Sequence, residues 1–109
     1  MLLPAVTEFS LSGNVTRYAE VSRLLGAAAA DAPDVMAAEA LMDGLRSLNR
    51  DLEVPALAES LPGREADFLA AVPKMSQDAV ASGSPANNPI VAGAEEIERL
   101  YRKIWSQAK

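Results

Sequence analysis

Apolar residues recur every three or four positions through most of this chain, and nowhere does a period of two persist. That pattern predicts helices and no sheet. Leu2, Leu3, Val6 and Phe9 mark the first helical face. Pro4 is tolerated in a first turn, where its missing N–H has no partner to lose. The pattern is already under way at Met1 with no capping residue ahead of it, as expected of a helix that starts further upstream. Ser10 to Asn14 reads as a turn about Gly13. Asn14 or Thr16 is placed to cap a second helix with Tyr18, Val21, Leu24 and Leu25 inward, closed by Gly26. Asp31 is placed to cap a third, with Pro33 in its first turn. Its stripe is Val35, Met42, Leu45, Leu48 and Leu52, with Leu41 beside it. Gly44 inside this helix costs roughly 1 kcal/mol relative to alanine, which predicts a close neighbour there. Val54-Pro55 stops the helix.

Leu57 to Gly63 reads as a short connector. From Arg64 helical spacing resumes through Phe68, Leu69 and Val72, and Pro73 is expected to break or kink it. Met75 and Val80 carry the pattern on. Ser82 to Gly93 has no period and is rich in Gly, Pro, Asn and Ser, the composition of a functional or mobile loop. In the last helix Ile97, Leu100, Tyr101, Ile104 and Trp105 share a side, while Glu95, Glu96 and Glu98 precede Arg99, Arg102 and Lys103. Acid early and base late suits the helix dipole. The expected class is all-α: a compact bundle of about five helices forming one domain over residues 1–109.

Composition narrows the chemistry. Half the residues are apolar but only 5% are aromatic, so the core must be built from Leu, Val and Ala. The net charge of −5 repels phosphate, which argues against nucleic acid and anionic membrane as partners. No apolar run approaches the ~20 residues of a bilayer span. The opening Met1-Leu2-Leu3-Pro4 lacks a basic leader and reaches Glu8 too soon for a secretory signal, so a cytoplasmic location is expected. With no cysteine and no histidine, disulfides, thiolate or imidazole metal ligation and a histidine base are all excluded. Asp31 with Asp34, or Glu95 with Glu98, could hold a hard cation loosely, against the simpler reading of a cap and a solvated face. Asp43 and Asp78 lie near apolar stripes and are the acids to consider for proton transfer, although helix-surface acids are commoner. Tyr101 and Trp105, four residues apart, fit core or interface better than a stacking platform. Residue chemistry alone therefore offers no catalytic, cofactor or metal residues.

The loop after Asp78 carries more. Asp78-Ala79-Val80-Ala81, then Asn88-Pro89, then the terminal helix with Glu95-Glu96-Ile97-Glu98-Arg99-Leu100-Tyr101 resembles the end of the iron-containing (group III) alcohol dehydrogenases. Earlier pieces agree in order. Met1-Leu2-Leu3-Pro4-Ala5-Val6 with Phe9 resembles that family's Leu-Leu-Pro-His-Val-x-x-Phe-Asn stretch. Arg17-Tyr18-Ala19-Glu20 with Leu24-Leu25-Gly26 resembles its Arg-Tyr-Ala-Glu…Leu-Gly helix, and Leu52-Glu53-Val54-Pro55 its Leu-Gly-Ile-Pro ending. The resemblance implies the carboxy-terminal helical domain of a metal-dependent enzyme that passes hydride between an alcohol and NAD(P). Its iron, sometimes zinc, is held by one Asp and three His that fall before Met1, so no ligand carries over. Ala5 stands where the family has His, Ser10 where it has Asn, and Ile90 where Arg commonly follows Asn-Pro. The loop before Asn-Pro lines the substrate pocket in some members. That makes Ser84 a substrate-pocket candidate, at a position often occupied by cysteine, and Asn88 a loop-shaping one. The expected partner is the amino-terminal part of a parent enzyme, and the isolated chain is expected to be inactive. The alternative is a stand-alone helical interaction module, docking a partner helix or forming a homo-oligomer through its apolar opening segment and the Tyr101/Trp105 stripe.

Overall fold

Two helical hairpins joined by a short bridging helix make up the chain, seen in a computed structural model that describes residues 1–107. The helices are α1 (Leu3–Ser10), α2 (Val15–Leu24), α3 (Asp34–Asp51), α4 (Leu57–Ser60), α5 (Glu65–Ala81) and α6 (Ala94–Ser106), with single 3-10 turns at Leu11–Gly13 and Ser84–Asn87. No strand occurs among the described residues. The helix beyond the expected five, α4, is a single turn inside the expected connector, capped at its start by Glu59, whose carboxylate accepts the Ala56 N–H at 3.2 Å. No helix among the described residues is long and apolar enough to cross a membrane.

α2 packs along α3, α5 packs along α6, and α1 touches both α3 and α6. Glu8 clasps this junction. It accepts from Lys103 Nζ on α6 at 2.6 Å and lies 3.7 Å from an Arg46 nitrogen on α3. The molecule measures 46 × 30 × 16 Å with a radius of gyration of 15.2 Å, against about 13 Å for a rounded domain of this length. A 16 Å thickness accommodates no more than two helix layers at the usual spacing of about 8–10 Å.

A thin slab has few interior positions, and small side chains fill them. Ala19, Ala37, Ala5 and Val72 are at most 1% exposed, and Ser10, Ser22 and Ser76 are completely buried. Leu41, Met42, Ile97 and Ile104 complete the core. Two expected faces are therefore corrected. On α2 the inward residues are Ala19 and Ser22, while Val21, Leu24 and Leu25 point to solvent, Leu24 at 86% exposure. On α3 the buried face is Ala37, Ala38, Leu41 and Met42, and Val35, Leu48 and Leu52 are exposed. Close helix approach selects small residues at the contact, so the bulkier ones are left on the outer faces. α1 does the same: Pro4, Ala5, Thr7 and Ser10 are buried, and Leu2, Leu3 and Val6 are exposed.

Helix boundaries follow local chemistry. Asn14 Oδ1 caps α2 by accepting the Arg17 N–H at 3.2 Å. α3 begins after Pro33 rather than at Asp31. Asp34 occupies its first turn, held by Arg23 at 2.5 Å, where an acid suits the dipole. A Cβ on Gly44 would lie 2.9 Å from that of Ala27, which is the close neighbour expected there. Pro73 does not break α5, which runs unbroken from Glu65 to Ala81.

Candidate functional site

The residues of the terminal stripe do two jobs. On α6, Ile97, Leu100, Tyr101 and Ile104 recur at helical spacing and form the floor of an apolar cavity of about 290 Å³. Leu2, Val6 and Phe9 from the first segment form one wall, and Ala79, Ser84, Pro85 and Asn88 the opposite one. Behind the floor, Trp105 stacks on Phe68 with ring centroids 4.9 Å apart, and Tyr101 meets the same ring edge-on at 6.2 Å. Phe68 thus covers the aromatic pair, which joins α5 to α6 rather than presenting a free platform.

The loop wall is fixed by its backbone. Gly83, at a φ of 81°, supplies the left-handed residue that ends α5. Pro85 opens the 3-10 turn, and Asn88 is extended ahead of Pro89, as a residue preceding proline prefers. Asn88 Nδ2 then donates twice, to Ser10 Oγ and to the Ile90 carbonyl, each at 2.8 Å. Ser10 Oγ donates its own hydrogen to the Val6 carbonyl at 2.7 Å, so it is the acceptor of the Asn88 pair. Beneath this contact the loop backbone rests on Gly13. A Cβ there would approach the Pro89 carbonyl carbon and oxygen to 2.7 Å.

Ser84 and Asn88 therefore line the same cavity, Ser84 exposed and Asn88 half-buried. The other candidates do not join them. Asp43 has a side chain 90% exposed and lies 3.9 Å from Arg46, and Asp78 is bonded to Lys74 at 2.7 Å with 63% exposure. Neither is the buried acid that proton transfer needs. Asp34 is engaged by Arg23, and Glu98 lies 3.9 Å from Arg102. Among the described residues no three acidic side chains gather in a way that could hold a metal ion. Glu8 shows a displaced titration. Its hydrogen bond to Lys103 pulls the carboxyl below the usual glutamate range, partly opposed by burial and helped by the charges of Lys103 and Arg46. Ser10 and Gly13, which seat the loop, carry no sequence signal beyond a turn at the end of an apolar stretch.

Residues 1–105 match the family model for the carboxy-terminal part of the Fe-containing alcohol dehydrogenases. The chain belongs to this family. It is 32% identical over 106 residues to the 1-propanol dehydrogenase PduQ of Salmonella typhimurium, covering 95% of this chain and 29% of that protein. It is 28% identical over 105 residues to a 1,3-propanediol dehydrogenase of Klebsiella pneumoniae, covering 96% and 26%. Identity to the lactaldehyde reductase of Escherichia coli strain K12 is 26% over 105 residues, with the same coverage of 96% and 26%. The chain thus spans only about a quarter of the length of these relatives. No solved structure is significantly similar to it. Among the described residues the regular structure is entirely helical, with an apolar cavity and no grouping of acids that could hold a metal ion.

Proposed function

We propose that this chain serves as the helical wall of the substrate cleft in a larger, metal-dependent and NAD(P)-dependent alcohol dehydrogenase. The observation that carries the reading is the 290 Å³ apolar cavity, whose rim includes Leu2 and Val6 at 51% and 40% exposure. Large apolar side chains left in water beside a cavity favour coverage by further protein. The amino-terminal portion of the parent is the partner that fits, and the cavity then becomes a dry pocket for the carbon chain of an alcohol. Exclusion of water there strengthens each electrostatic interaction at the reacting carbon.

In the parent, the family's iron or zinc would supply a Lewis acid for the alcohol oxygen and NAD(P) would be the hydride acceptor. This chain's donors do not fit that metal: imidazole and thiol are absent from its sequence, and among the described residues no three acidic side chains gather in a way that could hold a metal ion. Its own residues instead bind and orient. Val6, Phe9 and Tyr101 contact the alkyl chain, Ser84 stands at the mouth, and Asn88 holds the loop in place. On its own the polypeptide transfers no hydride.

A segment exchange tests this. The matching segment of the 1,3-propanediol dehydrogenase is replaced by residues 1–105, and NADH formation is followed with 1-propanol and 1,3-propanediol. Retained hydride transfer is expected, with Ser84→Leu raising KM for the diol more than it lowers kcat. A folded, metal-loaded chimaera without activity overturns the reading, as does dehydrogenase activity in the isolated chain.

A further inference from the structure

On the far side of Ile104 from the apolar cavity lies a second cleft of about 140 Å³. The buried Ile104 lines both. The second cleft is of different character. α3 places Arg46, Asn49 and Arg50 along it at helical spacing, and Pro4, Val54 and Ile104 contribute apolar surface.

Its charge stands out against the rest of the chain, where acids outnumber bases 15 to 10. Among the described residues, every lysine and arginine except Arg50 has a carboxylate within 4.0 Å. Arg46 is only loosely matched, at 3.7 Å from Glu8 and 3.9 Å from Asp43, and Glu8 makes its short bond elsewhere, to Lys103 at 2.6 Å. Both side chains are exposed, Arg46 at 43%, so their guanidinium groups are open to a ligand from solvent. A guanidinium presents a fork that takes a carboxylate through two parallel hydrogen bonds.

We propose that this cleft binds a small aliphatic carboxylate. Arg50 and Arg46 hold the anion, the Asn49 amide donates beside them, and the alkyl tail lies against Val54 and Ile104. The apolar lining favours a carboxylate with a tail over a fully hydrated anion such as phosphate, which would leave that surface uncovered.

The test titrates the 15N-labelled 109-residue chain with butyrate, acetate, inorganic phosphate and N-acetylglutamate amide, following the Asn49 side-chain amide resonance. Saturable shifts are expected with butyrate, bound roughly tenfold more tightly than acetate because it buries two more methylenes. Arg50→Gln is expected to weaken butyrate by about tenfold or more. Arginine and glutamine have similar helix propensity, so its amide spectrum should otherwise match that of the parent. Arg50→Lys, which keeps the charge and loses the fork, should fall between. Butyrate binding no tighter than acetate, or untouched by Arg50→Gln, overturns the proposal. So does the absence of any saturable shift. Tighter binding of phosphate overturns it in favour of a bare anion site, and tighter binding of N-acetylglutamate amide in favour of a protein carboxylate as the occupant.

Discussion

Asn88 and Ser10, 78 residues apart in the chain, share a hydrogen bond of 2.8 Å that ties the loop before α6 to the end of α1. Ser10 has no solvent exposure at all, so the bond closes a polar site inside the slab. Asn88→Ala removes the donor and strands part of that site, at a cost of about 1–2 kcal/mol. Ser10→Ala alone leaves the Asn88 amide beside a methyl group. The double variant should then cost less than the sum of the single ones, with a coupling above about 0.5 kcal/mol. Urea unfolding of the four proteins measures it, and strict additivity would show that the pair does not interact.

Gly13 is needed for space. A methyl there meets the Pro89 carbonyl at 2.7 Å, and backbone cannot swing away as a side chain can. Gly13→Ala is expected to lower stability by about 1–3 kcal/mol, the range for overpacking, and to move the loop wall off the cavity. Thermal unfolding by circular dichroism gives the first effect, and changes in the Asn88 side-chain amide resonances the second.

Glu53 is the one described residue other than glycine with a positive φ, at 53°. It follows the α3 cap at Leu52, and the next residue, Val54, donates back to the Asn49 carbonyl at 2.8 Å. A residue with a Cβ is strained in that conformation and glycine is not. The related family motif has glycine at this place. Glu53→Gly should therefore raise stability by about 0.5–1 kcal/mol despite the entropy that glycine adds to the unfolded chain. A lower melting temperature would contradict this.

Glu8 makes stability depend on pH. Its carboxyl is held below the usual glutamate range by the Lys103 hydrogen bond, so its contribution is complete above that range. It is lost as the pH falls through the lower, folded-state value. The side chain is 40% exposed, which keeps the contribution at or below about 1 kcal/mol and sensitive to salt. Glu8→Gln should flatten the acid limb of the stability profile in low salt and leave it nearly unchanged in 1 M salt. An unaltered limb in low salt would mean the clasp contributes nothing.

Leu24 and Leu25 make a converse prediction. At 86% and 67% exposure, their replacement by glutamine should alter the stability of the chain by less than about 0.5 kcal/mol. A loss of several kcal/mol would place them in a buried contact.

How far the sequence reveals this structure depends on which side of a helix is asked about. α6 is legible: Glu96 reaches back to the Gly93 N–H at 3.1 Å, its acids come first, and its buried residues, Ile97 and Ile104, belong to its apolar stripe. α2 misleads, because Val21, Leu24 and Leu25 carry the hydrophobic signal while Ala19 and Ser22 make the contact. In a slab this thin, closeness of helix axes selects size rather than hydrophobicity, and periodicity weighs the large residues most. At the site, the aperiodic stretch from Ser82 to Gly93 and the geometry of Asn88-Pro89 are visible in the residues themselves. The partner of Asn88 is not, since nothing local to Ser10 points across 78 positions. Among the described residues, Arg50 stands out only once every other lysine and arginine has been placed beside its acid.

Trp105 is the sole tryptophan, and it stacks on Phe68 within the α5–α6 hairpin, apart from α2 and α3. Its fluorescence therefore reports on one half of the molecule, while the far-ultraviolet ellipticity sums over both. Melting curves from the two signals will superimpose only if α1 and its clasp couple the hairpins into a single cooperative unit. An indole signal that survives past the loss of half the ellipticity would mean that the two hairpins melt separately.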